Sequence, residues 1–456
     1  PWRAAGRQKT AWTWARKEKR MKNSIAEELI EFISKSPTCF HVTDNIKKIL
    51  DEAGFVRLQE SGEWKLEVGG RYYVTRNNSS VIAFYMPEHI SGFHIMASHS
   101  DSPCFKIKEN PEIGVAEKYV KLNVEKYGGM LMSTWFDRPL SVAGRLVTEN
   151  EGKITTHLVN MDRDTVIIPN LAIHMNRNIN EEGYKYNAQK DLLPLFGDEK
   201  AEGTFMTRIA EAAGVEEASI VSHDLFLYPR VPGSIWGPDD AYISSARLDD
   251  LECVFSSMKG FLALEHCSNV PVLAVLDNEE VGSTTKQGAA SDFMRMIVTR
   301  ICYESGLDAK DINRLLAGSF MVSADNAHAA HPNYMEKADP VNRPYMNEGI
   351  VIKYNANQKY TTDGISAALF KQICRKAGVP YQTFFNRSDV AGGSTLGNIS
   401  NTQLSMNTVD IGLAQLSMHS TYETAGTKDI EYLVRASRAF FEAGIQCEED
   451  GGYTIE

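Results

Sequence analysis

Two hydrophobic periodicities run through the chain, one typical of helices and one typical of strands. Across residues 25–36 and 42–55, apolar residues recur three or four positions apart. This spacing predicts two amphipathic helices. Apolar runs at 71–75, 80–86 and 93–99 have the length and composition of strands. The first hundred residues therefore predict two helices followed by the beginning of a sheet.

The periodicity changes twice further along the chain. Residues 104–240 contain short alternating stretches that predict an antiparallel, β-rich region. From residue 241 onward, helical and apolar strand patterns alternate, and this is typical of a mostly parallel sheet covered by helices. We therefore predict an α/β fold whose main domain is discontinuous, with parts at 21–103 and 241–456. The β-rich segment at 104–240 would be an insertion into that domain.

Composition narrows the possible partners and the compartment. The chain has 456 residues, a net charge of −11 and a pI near 5.6, which argue against a nucleic-acid partner because phosphate binding needs basic surface. The seven cysteines are widely spaced and form no CxxC pair, so a disulfide framework and a thiolate zinc site are both disfavoured. We expect a reduced, cytoplasmic location. No apolar run approaches the ~18 residues of a membrane span, so we expect no membrane partner.

Residues 1–20 differ from the rest of the chain. They carry seven Lys and Arg against one Glu, and they precede Met21. An organellar transit peptide has a similar composition. We favour a disordered or non-native extension, translated from upstream of a start at Met21, and we leave it out of the fold prediction.

Polar clusters follow several of the predicted strands, where functional groups collect in α/β sheets. His99 and Asp101 lie in HSDSP, for which an exposed turn is the alternative interpretation. Asp249 or Asp250, in ARLDDL, opens a predicted helix and could be an ordinary first-turn acid. Each of these clusters alone is weak evidence for a site.

Two further clusters add carboxylates and histidines. The stretch LDNEEVGS (276–283) places Glu279 and Glu280 directly after an apolar strand, where buried carboxylates need a compensating cation. An exposed acidic turn is the alternative. SADNAHAAHPNY (323–334) offers Asp325 and His328, and LAQLSMHSTYE adds His419.

Together these clusters supply His, Asp and Glu from separate strand ends. Two divalent ions that share a bridging carboxylate, ~3.5–4 Å apart, need about that set of ligands. Histidine and carboxylate ligands without cysteine suit zinc, and manganese or cobalt are alternatives.

Six separated motifs also resemble one known family. SHSDSP, RLDDL, DNEEVGS, SADNAHAAHPNY, IKYNANQKY and QLSMHS are similar to those of the aspartyl aminopeptidase and vacuolar aminopeptidase I family of zinc metallopeptidases, in the family's order. The resemblance implies an aminopeptidase that hydrolyses the N-terminal residue of short peptides with two divalent metal ions per subunit. It also implies that the β-rich insertion is a dimerisation domain, and that dimers assemble into a tetrahedral dodecamer.

The resemblance assigns roles by motif position. It implies these metal ligands: His99, Asp249, Glu280, Asp325 and His419. It implies that Glu279 is the general base and that Asp101 orients His99. It implies these substrate-binding residues: His174, His328, Lys353 and Tyr360. His174 resembles a histidine that reaches the active site of a neighbouring subunit.

One segment departs from the family pattern and leaves substrate preference open. Acid-specific eukaryotic members carry a TPCGTT-like loop, whereas this chain has RSDVAGGSTLG at 387–397. Lys353 is a candidate cation for an acidic side chain, with an ordinary surface lysine as the alternative. Two other functions stay open: another co-catalytic metallohydrolase, acting on N-acyl amino acids, and a non-catalytic self-assembling scaffold.

Overall fold

The computed structural model describes residues 24–456, so the extension predicted at 1–20 lies outside the described residues. The α-helices of the described part are α1 (Ser24–Ser34), α2 (Cys39–Glu52), α3 (Ile179–Glu182), α4 (Ala188–Asp191), α5 (Phe205–Ala213), α6 (Leu248–Leu262), α7 (Phe293–Glu304), α8 (Ala309–Ala317), α9 (Gly364–Ala377), α10 (Leu396–Ser400) and α11 (Thr427–Glu442).

The strands form four sheets. The first ten strands are β1 (Val56–Leu58), β2 (Arg71–Arg76), β3 (Ser80–Tyr85), β4 (Phe93–His99), β5 (Cys104–Val115), β6 (Tyr119–Tyr127), β7 (Leu140–Asn150), β8 (Lys153–Asn160), β9 (Leu195–Asp198) and β10 (Ile220–Pro229). The others are β11 (Ser234–Trp236), β12 (Tyr242–Ser245), β13 (Val270–Leu276), β14 (Phe320–Ala324), β15 (Ala327–His328), β16 (Ile350–Tyr354), β17 (Tyr381–Phe385), β18 (Asn407–Gly412), β19 (Ala414–Leu416), β20 (Glu423–Gly426), β21 (Ile445–Glu449) and β22 (Gly452–Ile455).

The largest sheet has nine strands in the order β1-β2-β3-β13-β4-β14-β18-β16-β17. Its centre, from β13 through β4 and β14 to β18, is parallel, while β3 and β16 join antiparallel. Helices cover both faces, because α1, α2, α6, α9 and α11 pack on one side and α7 and α8 on the other. Successive residues of a strand point to opposite faces and so belong to different hydrophobic cores. In β4, Met96 packs in the core on one face and Ile95 in the core on the other. The predicted α/β class is confirmed.

A second sheet of six strands, β8-β7-β10-β5-β6-β9, is built within residues 104–229. All of its pairings are antiparallel. It has a hydrophobic core of its own, which includes Phe105, Trp135 and Leu225. The boundaries at 104 and 240 and the dimerisation role of this region stay predictions.

A third sheet, β11-β12-β20-β19-β15, carries residues on which the site depends. His328 is the last residue of β15, and the connection between β19 and β20 contains His419. The remaining sheet is the hairpin of β21 and β22. All seven cysteines are free. In the described residues, no helix combines the length and the apolar character that crossing a membrane requires.

Close packing of α6 against α11 generates a first prediction. A Cβ added at Gly260 of α6 would lie 2.6 Å from the Cβ of Ser437 and 2.7 Å from the carbonyl oxygen of Val434. We expect Gly260→Ala to lower the free energy of unfolding by about 1–3 kcal/mol, measured by denaturant titration, because the helices must separate. The control is Gly364→Ala, where a Cβ meets nothing within 4 Å at the start of α9. An unchanged stability in Gly260→Ala would contradict this account of the packing.

Candidate metal centre

Three neighbouring parallel strands deliver site residues to one edge of the central sheet. His99 is the last residue of β4, and it pairs in register with Leu276, the last residue of β13. The LDNEEVGS turn therefore begins beside His99. Asp325 directly follows β14 on the other side of β4. Because the carboxyl ends of parallel strands meet at the same edge, these residues converge although the sequence separates them widely.

The N-terminal end of α6 brings two more carboxylates to this edge. Asp249 and Asp250 have non-helical backbone angles, so the regular helix begins after them. The backbone N–H of His99 donates to Asp250 Oδ2 at 3.0 Å. The backbone N–H of Asp249 donates to Glu423 Oε2 at 3.0 Å, and the N–H of His419 donates to Glu423 Oε1 at 2.7 Å. Both aspartates are therefore fixed to neighbouring elements.

Asp249 lies between two histidines and faces each with a different oxygen. Its Oδ1 is 3.4 Å from Nε2 of His99, and its Oδ2 is 3.3 Å from Nε2 of His419. His99 Nε2 is also 3.8 Å from Asp325 Oδ1, and His419 Nε2 is 3.4 Å from Glu280 Oε1. The five predicted ligands thus form two groups that share one carboxylate.

Asp101 holds one of these groups to the LDNEEVGS turn. It is 3% exposed, and its Oδ1 lies 3.4 Å from Nδ1 of His99, the nitrogen that faces away from Asp249. The same carboxylate accepts the backbone N–H groups of Glu279, at 3.1 Å to Oδ1, and Glu280, at 3.2 Å to Oδ2. The backbone carbonyl oxygen of Asp101 lies still closer to Nδ1 of His99, at 3.1 Å. The orienting role of the Asp101 carboxylate stays a prediction, while the carboxylate does fix the backbone of both glutamates.

The six-stranded sheet supplies a further support to this turn. Tyr127, the last residue of β6, donates its hydroxyl to Asp101 Oδ2 at 2.7 Å and accepts from Asn278 Nδ2 at 2.7 Å. Asn278 has a φ of +64°, a left-handed conformation that Asn tolerates better than most residues. The residues after Tyr127 also reach the site, because the N–H of Leu131 donates to the carbonyl oxygen of His419 at 3.0 Å.

The carboxylates of the site carry strongly perturbed pKa values. Burial raises the pKa of Glu279 to about 8 and that of Glu423 to about 8. Burial and the proximity of Asp249 raise the pKa of Glu280 well above the carboxyl range. Burial opposes ionisation of Asp249 too, but its contacts with His419 and His99 prevail and lower its pKa. The protein side chains alone do not neutralise this concentration of acidic groups.

Three orphaned oxygens show that the site fits bound metal ions. Oδ1 of Asp249, Oδ1 of Asp250 and Oε1 of Glu280 are buried and have no hydrogen-bond partner among the described residues. Two sets of ligand atoms lie within 4.8 Å of one another: His99, Asp249, Asp250 and Asp325 in one, and Asp249, Glu280 and His419 in the other. Nitrogen and carboxylate donors of this kind suit zinc and similar divalent ions.

A cavity of about 200 Å³ opens onto both groups. Its lining includes Glu279, His328, Lys353 and Tyr360. Lys353 is 2% exposed, so it is not a surface lysine, and its ammonium lies 3.3 Å from Asp325 Oδ2 and donates to the carbonyl oxygen of Asn326. The structure therefore brings these predicted substrate residues to the metal centre.

His174 is the predicted site residue that the fold of one chain does not bring to this cavity. It lies in the exposed turn Ile173–Met175, within the region of the six-stranded sheet. The exposed neighbours Leu171, Ile173 and Met175 surround it in sequence. A role for His174 in the cavity would require a second copy of the chain, and that role stays a prediction.

Three supporting residues were not assigned roles from the sequence. Asp250 was weighed only as an alternative to Asp249, and the structure places both in the site. Glu423 lies four positions after His419, a spacing that could have indicated a backbone acceptor. Tyr127 carries no sequence signal, because its contact with Asp101 depends on how the second sheet packs against the first.

An α/β sheet with two groups of histidine and carboxylate ligands at its strand ends is an arrangement suited to a metal-dependent hydrolase. The family model described as aminopeptidase I zinc metalloprotease (M18) matches residues 32–441. The chain therefore belongs to the M18 family of aminopeptidases, which are zinc metalloproteases and exopeptidases. The family resemblance found in the sequence motifs is confirmed.

The sequences of individual relatives are similar to this chain over almost its whole length. The probable M18 family aminopeptidase 2 of Clostridium acetobutylicum is 47% identical over 432 residues, covering 92% of this chain and 100% of that protein. The corresponding protein of Pseudomonas aeruginosa is 39% identical over 430 residues, covering 92% of this chain and 99% of that protein.

Solved structures show the same architecture. A chain of the cryo-EM structure of the Ape4 and Nbr1 complex superimposes with a TM-score of 0.90 at 35% identity, covering 93% of this chain and 86% of that chain. The S. cerevisiae mApe1 dodecamer gives a TM-score of 0.80 at 29% identity, covering 92% of this chain and 97% of that chain.

The hydroxyl of Tyr127 is expected to support metal binding without touching a metal. Tyr127→Phe removes the donor to Asp101 and the acceptor for Asn278. We expect metal affinity, measured by competition with a chromogenic chelator, to fall about 10–100-fold, as for other residues that orient ligands. The matched control is Tyr73→Phe, which removes a buried tyrosine hydroxyl bonded to Asp51 instead. Equal metal affinity in the two variants would contradict this role.

Proposed function

We propose that this aminopeptidase works through two divalent metal ions, most suitably zinc, that share Asp249. The observation that carries the proposal is the position of Asp249, whose two oxygens face His99 and His419 separately. His99 and Asp325 would complete one site, and Glu280 and His419 the other. Asp250 is close enough to join the first group.

The metals and the protein side chains would divide the chemistry. When bound, the metal pair supplies Lewis acidity for the scissile carbonyl and lowers the pKa of a nearby water. Glu279 lines the cavity and would accept the proton of the attacking water and then deliver it to the leaving amine. Asp101, through the backbone N–H groups of Glu279 and Glu280, would keep both glutamates in position.

The remaining cavity residues would bind the N-terminal end of a short peptide. The acidic groups of the cavity would attract the free α-amine of the substrate, which favours removal of the first residue. Tyr360 and Phe384 form an apolar wall of the cavity. His328 is exposed at one side, and the centroid of its ring is 6.3 Å from that of Phe384. Substrate contacts by His328 and Tyr360 stay predictions.

We also propose that the chain forms a homo-oligomer, as the dodecameric yeast mApe1 does. The exposed apolar residues around His174 support an interface in that region. A tetrahedral dodecamer with His174 at a neighbouring subunit's cavity would agree with the sequence resemblance. Membership in an aminopeptidase family favours this function over the N-acyl amidase and scaffold alternatives.

The two adjacent glutamates are expected to respond differently to the same substitution. Glu279→Gln should retain metal near the wild-type level but lower kcat at least about 10²-fold, because the amide cannot accept the water's proton. Glu280→Gln should lose metal, because it replaces a charged ligand. Elemental analysis and peptide hydrolysis of both purified variants measure the difference. Normal turnover in Glu279→Gln would show that the general base is another group.

Substrate preference offers a test of Lys353. Since its ammonium is already paired with Asp325, we propose that acidic first residues are accepted but not required. Lys353→Met should therefore lower kcat/KM for glutamyl and leucyl amide substrates alike. The assay would compare the two substrates with zinc, manganese and cobalt in parallel. A loss confined to glutamyl substrates would show instead that Lys353 binds the acidic side chain.

A further inference from the structure

A second, smaller cavity has Asp101 in its wall and is separate from the cavity at the metal groups. Its volume is about 40 Å³, enough for a few atoms but far too small for a peptide. The wall combines residues of the six-stranded sheet, such as Tyr127 and Phe226, with residues of the segment that joins that sheet to the central one, such as Ser102. It shares no lining residue with the cavity at the metal centre. The mechanism proposed above assigns it no role.

Arg247 forms part of this wall and has an incomplete set of partners. One terminal nitrogen, Nη2, donates to the carbonyl oxygen of Ile33 at 3.1 Å. Its Nε and Nη1 are buried and have no hydrogen-bond partner among the described residues. An arginine guanidinium keeps its charge in proteins, so Arg247 is a buried cation. A buried cation without an anion is costly to the fold.

Trp135 supplies a second donor to the same wall. It is 2% exposed, and its indole Nε1 is also buried without a partner in the described part of the chain. Indole N–H groups usually find an acceptor when they are buried. Two unrelated side chains of one small cavity therefore have N–H groups that lack an acceptor.

The described residues give Arg247 no ion-pair partner. Its guanidinium stands over the Tyr228 ring, 5.9 Å from the ring centroid, and Glu423 attracts it only from beyond ion-pair distance. Asp101 does line the cavity, but its oxygens accept from Tyr127 and from two backbone N–H groups. Burial raises the pKa values of Cys39 and Cys104, so both thiols of the wall are neutral. The cavity therefore contains N–H donors of Arg247 and Trp135 without an acceptor, and the guanidinium among them has no ion-pair partner in the described residues.

We propose that this cavity is a binding site for one small anion, such as a halide or formate, held by Arg247 and Trp135. An anion of one to three non-hydrogen atoms fits the volume, accepts hydrogen bonds from several donors and forms an ion pair with the guanidinium. A water molecule fits the volume as well, but it leaves Arg247 without an ion-pair partner.

The test uses the full-length protein and chloride as the probe. Thermal unfolding is followed while chloride replaces gluconate, an anion too large for the cavity, at constant ionic strength. The melting temperature is expected to rise saturably with chloride. Formate should act in the same way, and sulfate should not. A crystal grown in bromide should show an anomalous peak between Arg247 and Trp135.

Substituting a single tryptophan separates this site from general salt effects. Trp135→Phe removes the N–H and keeps an aromatic ring, so the chloride midpoint should move about tenfold higher. Trp64→Phe is the control, because Trp64 is similarly buried but donates to the carbonyl oxygen of Gln59 at 2.8 Å. Its midpoint should match that of the wild type.

Three results would overturn the proposal. One is a melting temperature that does not distinguish chloride from gluconate. Another is an unchanged chloride midpoint in Trp135→Phe. The third result comes from the wild-type protein, so it does not depend on a variant that folds. Wild-type crystals grown in bromide would show no anomalous peak, and water or a carboxylate of the protein would lie beside Arg247.

Discussion

Concentrated negative charge at one edge of the sheet is the constraint on which this structure depends. Asp101, Asp249, Asp250, Glu280 and Glu423 are buried or nearly so within the reach of a few hydrogen bonds. Carboxylates this close repel one another, and burial weakens their solvation. Backbone N–H groups and two histidines stabilise these carboxylates, and their oxygens also leave positions suited to divalent cations. The carboxylates that are costly to bury are therefore the same ones that suit this edge of the sheet to cations.

Rigid elements hold this arrangement from several directions. The parallel strands fix His99 and Asp325, and the start of α6 fixes Asp249 and Asp250. Tyr127 and Leu131 tie the second sheet to the same point through hydrogen bonds. A ligand set drawn from separate elements keeps its geometry only while those elements stay packed together. Close helix contacts far from the site, such as those at Gly260, thus contribute to its geometry.

Sequence reasoning predicted what local pattern determines and missed what packing determines. Apolar periodicity predicted most helices and the central strands, since burial imposes it directly on the sequence. Polar residues after strands predicted the edge where His99, Glu280 and Asp325 meet. The roles of Tyr127 and Glu423 could not be predicted, because each acts through a contact between elements distant in the chain. The burial of Lys353 could not be predicted from the sequence either, since one lysine in a short strand carries no periodic signal.

The order of the site residues along the chain has a consequence for biosynthesis. His99 is made early and His419 late, with about 320 residues between them. At about 5–20 residues per second, roughly 15 to 60 s pass between the two on the ribosome. A nascent chain that stops short of His419 lacks the full set of side chains around Asp249. The side chains that surround Asp249 can therefore meet only after residue 419 has been added, however early the first of them is made.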